Sequence, residues 1–248
     1  MGEDRKTARE VKQVLKRLGN PERAKFALRY FKTGAGQYGE GDKFLGISAP
    51  NLRKTARIYR ELETDDILKL LHSPWHEERV LALLIWNHQF LKGTPSTRQK
   101  IHRLYLKNSA CINNWDLVDC SAEIVVGKHL LDKETGILQK LAMSKNLWER
   151  RIAMISTFAF IREKRFDLPM EIARRLIHDK EDLIHKASGW MLREIGKRDS
   201  SVLDQFLAEH ATRMPRTMLR YSIEKFPEIK RKKYLSIKNN SRGKSQDR

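Results

Sequence analysis

The stretch "NNWDLVDC", residues 113–120, has residue types and a spacing suited to chemistry on a positively charged group. On a helix, Trp115 and Asp119 stand at i and i+4, so a carboxylate lies one turn from an indole on the same face. A carboxylate stabilises positive charge as it develops, and an indole face attracts a cation. A second indole, Trp190, sits in "KASGWMLRE" four residues after Lys186 and directly after Gly189, whose missing side chain leaves room for a close approach. Asp116 falls at the expected helix start after Asn113-Asn114, where the helix dipole and free amides favour a carboxylate, so capping accounts for it. Asp119 lies a turn deeper, beyond the reach of capping; it serves either chemistry or a salt bridge. Trp115 and Trp190 are either site or core residues, and Tyr30 is either core or rim.

Other chemistries find little support. His72 and His76 are four apart, but Pro74 lies between them and no third ligand follows, so no metal site is expected. Cys111 and Cys120 are the chain's two cysteines, too few for a disulfide framework and without zinc-ligand spacing; a reducing, intracellular setting follows. No serine or cysteine stands in a recognisable nucleophile context. "GAGQYG" at 34–39 matches the letters of a dinucleotide fingerprint, but it follows the helical "RAKFALRYF" rather than a strand, so a loop joining two helices is expected.

The elements that must position these residues read as helix after helix. Apolar residues recur at spacings of three and four, and turn signals fall at 34–46, Ser73-Pro74, Gly93-Thr94-Pro95, Asp167-Leu168-Pro169, Asp199-Ser200 and Met214-Pro215. Residues 22–60 form a first helix pair, with Asn20 as N-cap, Pro21 at the first helical position, and Ser48 or Pro50 heading the second helix. The segments "SPWHEERVLALLIW", "KNLWERRIAMISTF", "EDLIHKASGWMLRE" and "TRMPRTMLRYSIEKF" each open polar, place a base early and turn apolar. The basic slot falls at Arg79, Arg151, Lys186 and Arg216. The intervals are 72, 35 and 30 residues, and halving the first puts the skipped slot at residue 115, which is Trp115. A period in the mid-thirties with two helices per unit signals an all-α solenoid whose equivalent positions line one surface.

Charge points to the partner. The chain has 248 residues, with 50 Lys+Arg against 31 Asp+Glu, a net +19. Residues 229–248 hold eight bases and one acid and are expected to be a disordered basic tail. The remaining +12 lies on residues 1–228, expected to be a single domain, and such a charge suits a polyanion such as nucleic acid. The longest wholly apolar run, Val80 to Trp86, has seven residues, far short of a membrane span, and the N-terminus lacks a signal-peptide apolar core. A cytoplasmic, monomeric protein with no membrane contact and no obligate protein partner is the expectation.

Taken together, "LRYFKTG…YGEGDKFLGI", "NNWDLVDCS", "LWERRIAMIST" and "HKASGWMLREIGK" resemble, in order and across roughly residues 20–226, the AlkD-like DNA alkylation-repair family. The resemblance implies a superhelix of tandem antiparallel HEAT-like helix pairs with a basic concave face for duplex DNA. It implies excision of N3- and N7-alkylated purines by cleavage of the N-glycosidic bond. By motif, the family's catalytic aspartate falls on Asp119, its two active-site tryptophans on Trp115 and Trp190, its tyrosine before the glycine loop on Tyr30, and its phosphate-gripping arginine on Arg151. Members that bind DNA without excision lack this full set, so the chain resembles the active branch. The resemblance also implies that the base need not be flipped into a pocket.

The residues suit that chemistry. A cationic alkylpurine leaves as a neutral base and needs no general acid, so a single key carboxylate suffices where glycoside hydrolysis ordinarily uses two. Asp119 would stabilise the oxocarbenium sugar and position water, worth about 3–4 kcal/mol for such a group. The two tryptophans would add roughly 0.5–2 kcal/mol each by facing the cation. Arg79, Arg151, Lys186, Arg216 and Tyr30 would grip DNA, mainly through phosphates. With no lysine beside Asp119 in the motif, β-lyase chemistry has no support. The expectation is a monofunctional glycosylase without metal or cofactor; the alternative is a non-catalytic HEAT-repeat binder of distorted or branched DNA.

Overall fold

The structure, a computed structural model, describes residues 6–237. It is all-α: among the described residues there is no β-strand, only an isolated bridge between Lys43 and Trp75. By contact the chain divides into two compact units, residues 1–125 and 126–248. The boundary falls inside the π-type turn Glu123–Gly127.

In the first unit α1 (Ala8–Leu18) starts at the N-cap Thr7 and buries Ala8, Val11 and Leu15, one stripe at helical spacing. Next comes α2 (Pro21–Tyr30), with Asn20 accepting from the Arg23 amide at 2.9 Å and Pro21 at the first position, as expected. A loop follows, then α3 (Ala49–Ile58), α4 (Thr64–Leu71), α5 (His76–Lys92) and α6 (Pro95–Lys107). A 3₁₀ turn (Ser109–Cys111) leads into the five-residue α7 (Trp115–Asp119). The long α5 is the axle: it packs against α1, α3, α4, α6 and α7 and buries Leu81, Leu83, Ile85 and Trp86. Each such side chain contributes about 1.5–3 kcal/mol by leaving water.

The second unit holds α8 (Lys128–Leu130), α9 (Gly136–Ala142), α10 (Leu147–Ser156), α11 (Phe158–Arg162), α12 (Asp167–Arg175), α13 (Asp182–Gly196), α14 (Ser200–His210), α15 (Arg216–Ser222) and α16 (Glu228–Ser236). Here α13 is the axle, packing against α10, α11, α12, α14 and α15. Gly189 is where α13 meets α15: a Cβ there would stand 2.5 Å from Tyr221 Cβ and 2.6 Å from the Met218 carbonyl oxygen. The room beside Trp190 is therefore filled by a neighbouring helix rather than left open for a ligand.

The basic slots fall near helix starts, in α5, α10, α13 and α15, and Trp115 opens α7. The expected unstructured tail departs from the structure over its first part. Residues 228–236 form α16, because Pro227 can head a helix and Phe226 and Tyr234 offer ring-to-ring contact at 5.9 Å. Residues 238–248 lie outside the described residues.

Candidate active site

A five-residue helix cannot hold itself in water, so α7 depends on its neighbours. At its start the Asn114 side chain accepts from the Trp115 amide at 2.8 Å. Asp116 turns one oxygen to the Leu117 amide at 2.9 Å and the other to His76 Nε2 at 2.7 Å. At its far end Asn87 Nδ2 donates to the Cys120 carbonyl at 2.7 Å. His76 and Asn87 lie eleven residues apart on α5, three turns along one face, so one helix clamps both ends of α7. Trp115 and Asp119, both half-buried, sit on the element so fixed.

The loop 31–47 is held by the same helix. Glu77 accepts from the amides of Leu45, Gly46 and Ile47 at 2.8, 2.7 and 3.3 Å. Gly46 has φ +77°, and a Cβ there would lie 2.1 Å from the Asn20 carbonyl oxygen, so only glycine fits. Asp42, from the same loop, accepts from His76 Nδ1 at 3.2 Å, Arg79 Nη2 at 2.6 Å and Asn114 Nδ2 at 3.1 Å. Thus "HEER", residues 76–79, opens α5 with four side chains that each seize another segment; Glu78 takes Lys12 of α1 at 3.1 Å.

His76 is charged in this setting. Burial alone would lower its pKa, and Arg79 opposes it too, but hydrogen bonds to Asp116 and Asp42 push it up to about 9. Burial would raise the Asp42 carboxyl, yet its bonds to His76, Arg79 and Asn114 hold it below the ordinary value. The imidazolium lies against Phe31 (4.8 Å) and stacks on Phe44 (4.7 Å), which shield it from water. Phe31 also stacks on Trp115 at 5.4 Å and 21°. Tyr30 meets Trp115 edge-on at 5.8 Å and is 53% exposed. The structure therefore brings Tyr30, Trp115 and Asp119 to one unit, with Trp115 resting on an aromatic bed.

The second unit carries Trp190, half-buried beside Phe158 at 6.0 Å. Phe158 itself lies under the guanidinium of Arg162 at 4.3 Å and that of Arg198 at 5.6 Å. Arg151, 5% exposed, donates to the Leu183 carbonyl at the start of α13. Lys186 pairs with Asp182 one turn away at 2.8 Å and keeps a side chain that is 39% exposed. Arg216 donates to the carbonyls of Leu235 and Ile237 at 2.7 and 3.3 Å, closing the end of α16.

Arg79 does not fit the expected row of phosphate contacts. It is 7% exposed and its guanidinium lies on Asp42, because the first turn of α5 faces the loop rather than solvent. Sequence reasoning also missed His76, Asp42, Phe31 and Asn114. His76, Asp42 and Asn114 find partners 34 to 72 residues away, and the one local signal, a histidine pair at i and i+4, lacks a third ligand and points to no site. Among the described residues no cluster of three or more His, Cys, Asp or Glu could hold a metal ion. Burial pushes both the Cys111 and the Cys120 thiols up, which disfavours a reactive thiolate.

Comparisons with known proteins agree with this architecture. A solved structure described as a predicted DNA alkylation repair enzyme from Enterococcus faecalis superposes with a TM-score of 0.65 at 17% identity, covering 85% of this chain and 97% of its own. That likeness shows a shared fold. No curated protein matches the sequence. The family model for the DNA alkylation repair enzyme matches residues 11–226. With that match spanning most of its length, the chain belongs to the DNA alkylation repair enzyme family.

Proposed function

We propose that the protein is a monofunctional DNA glycosylase that removes cationic N3- and N7-alkylated purines from duplex DNA. The observation that carries the reading is α7: Trp115 and Asp119 are both part-exposed on a short helix that α5 clamps at each end. Preorganised charge is effective because nothing need rearrange as the transition state forms. In the reaction the C1′–N bond breaks, its electron pair leaves with the base, and the base departs neutral. Positive charge then resides on the sugar as an oxocarbenium ion. Asp119 faces that charge and orients the water that adds to C1′, taking up its proton as the C–O bond forms. Trp115, backed by Phe31 and edged by Tyr30, offers a ring face to the same cation.

Trp190 is proposed as the second ring of the site on the family resemblance. Arg151, although buried with its guanidinium on the Leu183 carbonyl, is proposed as a phosphate contact on the family resemblance alone, and Lys186 and Arg216 are proposed as such on their repeat register. Arg79 is reassigned as an internal partner of Asp42. The enzyme is proposed to act as a monomer in the cytoplasm, without metal or cofactor and without drawing the base into a pocket.

The test is base release from duplex DNA carrying N7-methylguanine, by wild type and by Asp119→Asn at one low salt concentration. Wild type should release the base, and the variant should lose about 10²-fold or more in rate while keeping DNA affinity. A folded wild type that binds DNA but releases no base would replace this reading with a non-catalytic binder of distorted or branched DNA.

A further inference from the structure

Away from α7, the first unit contains a cavity of about 750 Å³ bounded by α1, the end of α4 and the start of α5. Its volume falls within the range typical of small-ligand sites, roughly 300–1,000 Å³. The half-buried Trp75, with Leu45 and Ala8, supplies an apolar wall, and the Lys43–Trp75 bridge pins the backbone at Trp75. The rim is cationic: Arg9, Lys12 and Lys16 on one face of α1, and Lys69 and His72 across from them.

These cations are not equivalent. Lys12 is paired with the buried Glu78 at 3.1 Å, and Lys69 with Asp66 at 3.0 Å. His72 shares a hydrogen bond with Asn108 at 2.7 Å. Arg9 and Lys16 are exposed and have no ion pair among the described residues. They stand seven positions apart, about 10 Å along the helix, so both long side chains can converge on one group. Two uncompensated cations match the charge of a phosphomonoester, about −1.5 to −2 near neutral pH. A planar ring against Trp75 with a terminal phosphate on α1 satisfies both halves of the cavity.

We propose that this cavity binds a nucleotide bearing a terminal phosphomonoester, its base stacked on Trp75 and its phosphate held by Arg9 and Lys16. The ligand is either a free mononucleotide or the 5′-phosphorylated end of a DNA strand; the chemistry recognised is the same. The site is independent of α7 and of the glycosylase reading, so Asp119→Asn should leave it unchanged.

Calorimetric titration of the full chain with dAMP, deoxyadenosine, inorganic phosphate and a short 5′-phosphorylated single strand provides the test. dAMP should bind one per chain, with deoxyadenosine and phosphate each at least about tenfold weaker, because each lacks half of the contacts. Trp75→Leu and the double variant Arg9→Ala/Lys16→Ala should each weaken dAMP about tenfold or more. The double variant changes only exposed side chains, so its fold is safe even should Trp75→Leu disturb the bridge. A strand that competes with dAMP and binds tighter assigns the site to DNA ends; one that binds no tighter assigns it to free nucleotide. No binding of dAMP, equal binding of deoxyadenosine or phosphate, or a double variant indistinguishable from wild type would overturn the proposal.

Discussion

His76 keeps a proton inside the fold because carboxylates from two separate segments face its two nitrogens. Removing the ring leaves Asp42 and Asp116 without their shared cation, and losing one partner of a buried ionic network costs about 3–5 kcal/mol. His76→Gln should therefore lower the unfolding free energy by that order and cut base release through misplacement of Trp115. Denaturant unfolding and single-turnover kinetics would measure both. The pH dependence follows from the direction of each shift. With its folded pKa raised from 6.5 to about 9, His76 contributes stability that is complete below the unfolded value and is lost as pH rises through about 9. Asp42, held below its ordinary 3.8, contributes stability present above that value and lost as pH falls through its lowered folded pKa. Thermal melting should show a decline between about pH 7 and 10 that His76→Gln largely removes. An unchanged alkaline decline in the variant would assign it to other groups.

At the scale of the element, α5 and α13 do parallel work by different means. α5 uses the polar quartet "HEER" to gather a loop, α1 and α7, whereas α13 uses the absence of a side chain at Gly189 to let α15 close in. A methyl at Gly189 would overlap the Met218 carbonyl and Tyr221 Cβ, neither of which is the far end of a flexible chain. Gly189→Ala should cost about 1–3 kcal/mol by overpacking, although alanine is the better helix former by about 1 kcal/mol. A melting temperature at or above wild type would refute that close approach.

For the whole molecule, net +19 draws a polyanion, but charge is not contact. The four repeat bases have diverged in use: Arg79 holds Asp42, Arg151 holds a carbonyl, Arg216 closes α16, and Lys186 keeps a part-exposed side chain. Each phosphate contact contributes about 0.9 to the slope of log K against log salt. Lys186→Ala should reduce the slope by about that amount, while Arg79→Met should destabilise the fold and leave the slope unchanged. DNA-binding titrations over a range of salt would separate the two, and a slope that drops for Arg79→Met would return it to the interface.

The sequence by itself determined what depends on neighbours along the chain. Helical periodicity, the Asn20–Pro21 start of α2, the loop nature of "GAGQYG" and the Trp115–Asp119 spacing are all set within a turn or two, where local sterics and hydrogen bonding decide. The family was legible too, because its motifs survive as short ordered strings. Tertiary structure alone decided which way each base points, why α7 exists at all, and that His76 carries charge. Most of those outcomes depend on partners tens of residues distant, from 19 for Arg216 to 72 for Asn114, since burial and Coulomb interaction act through space and leave no local pattern to read.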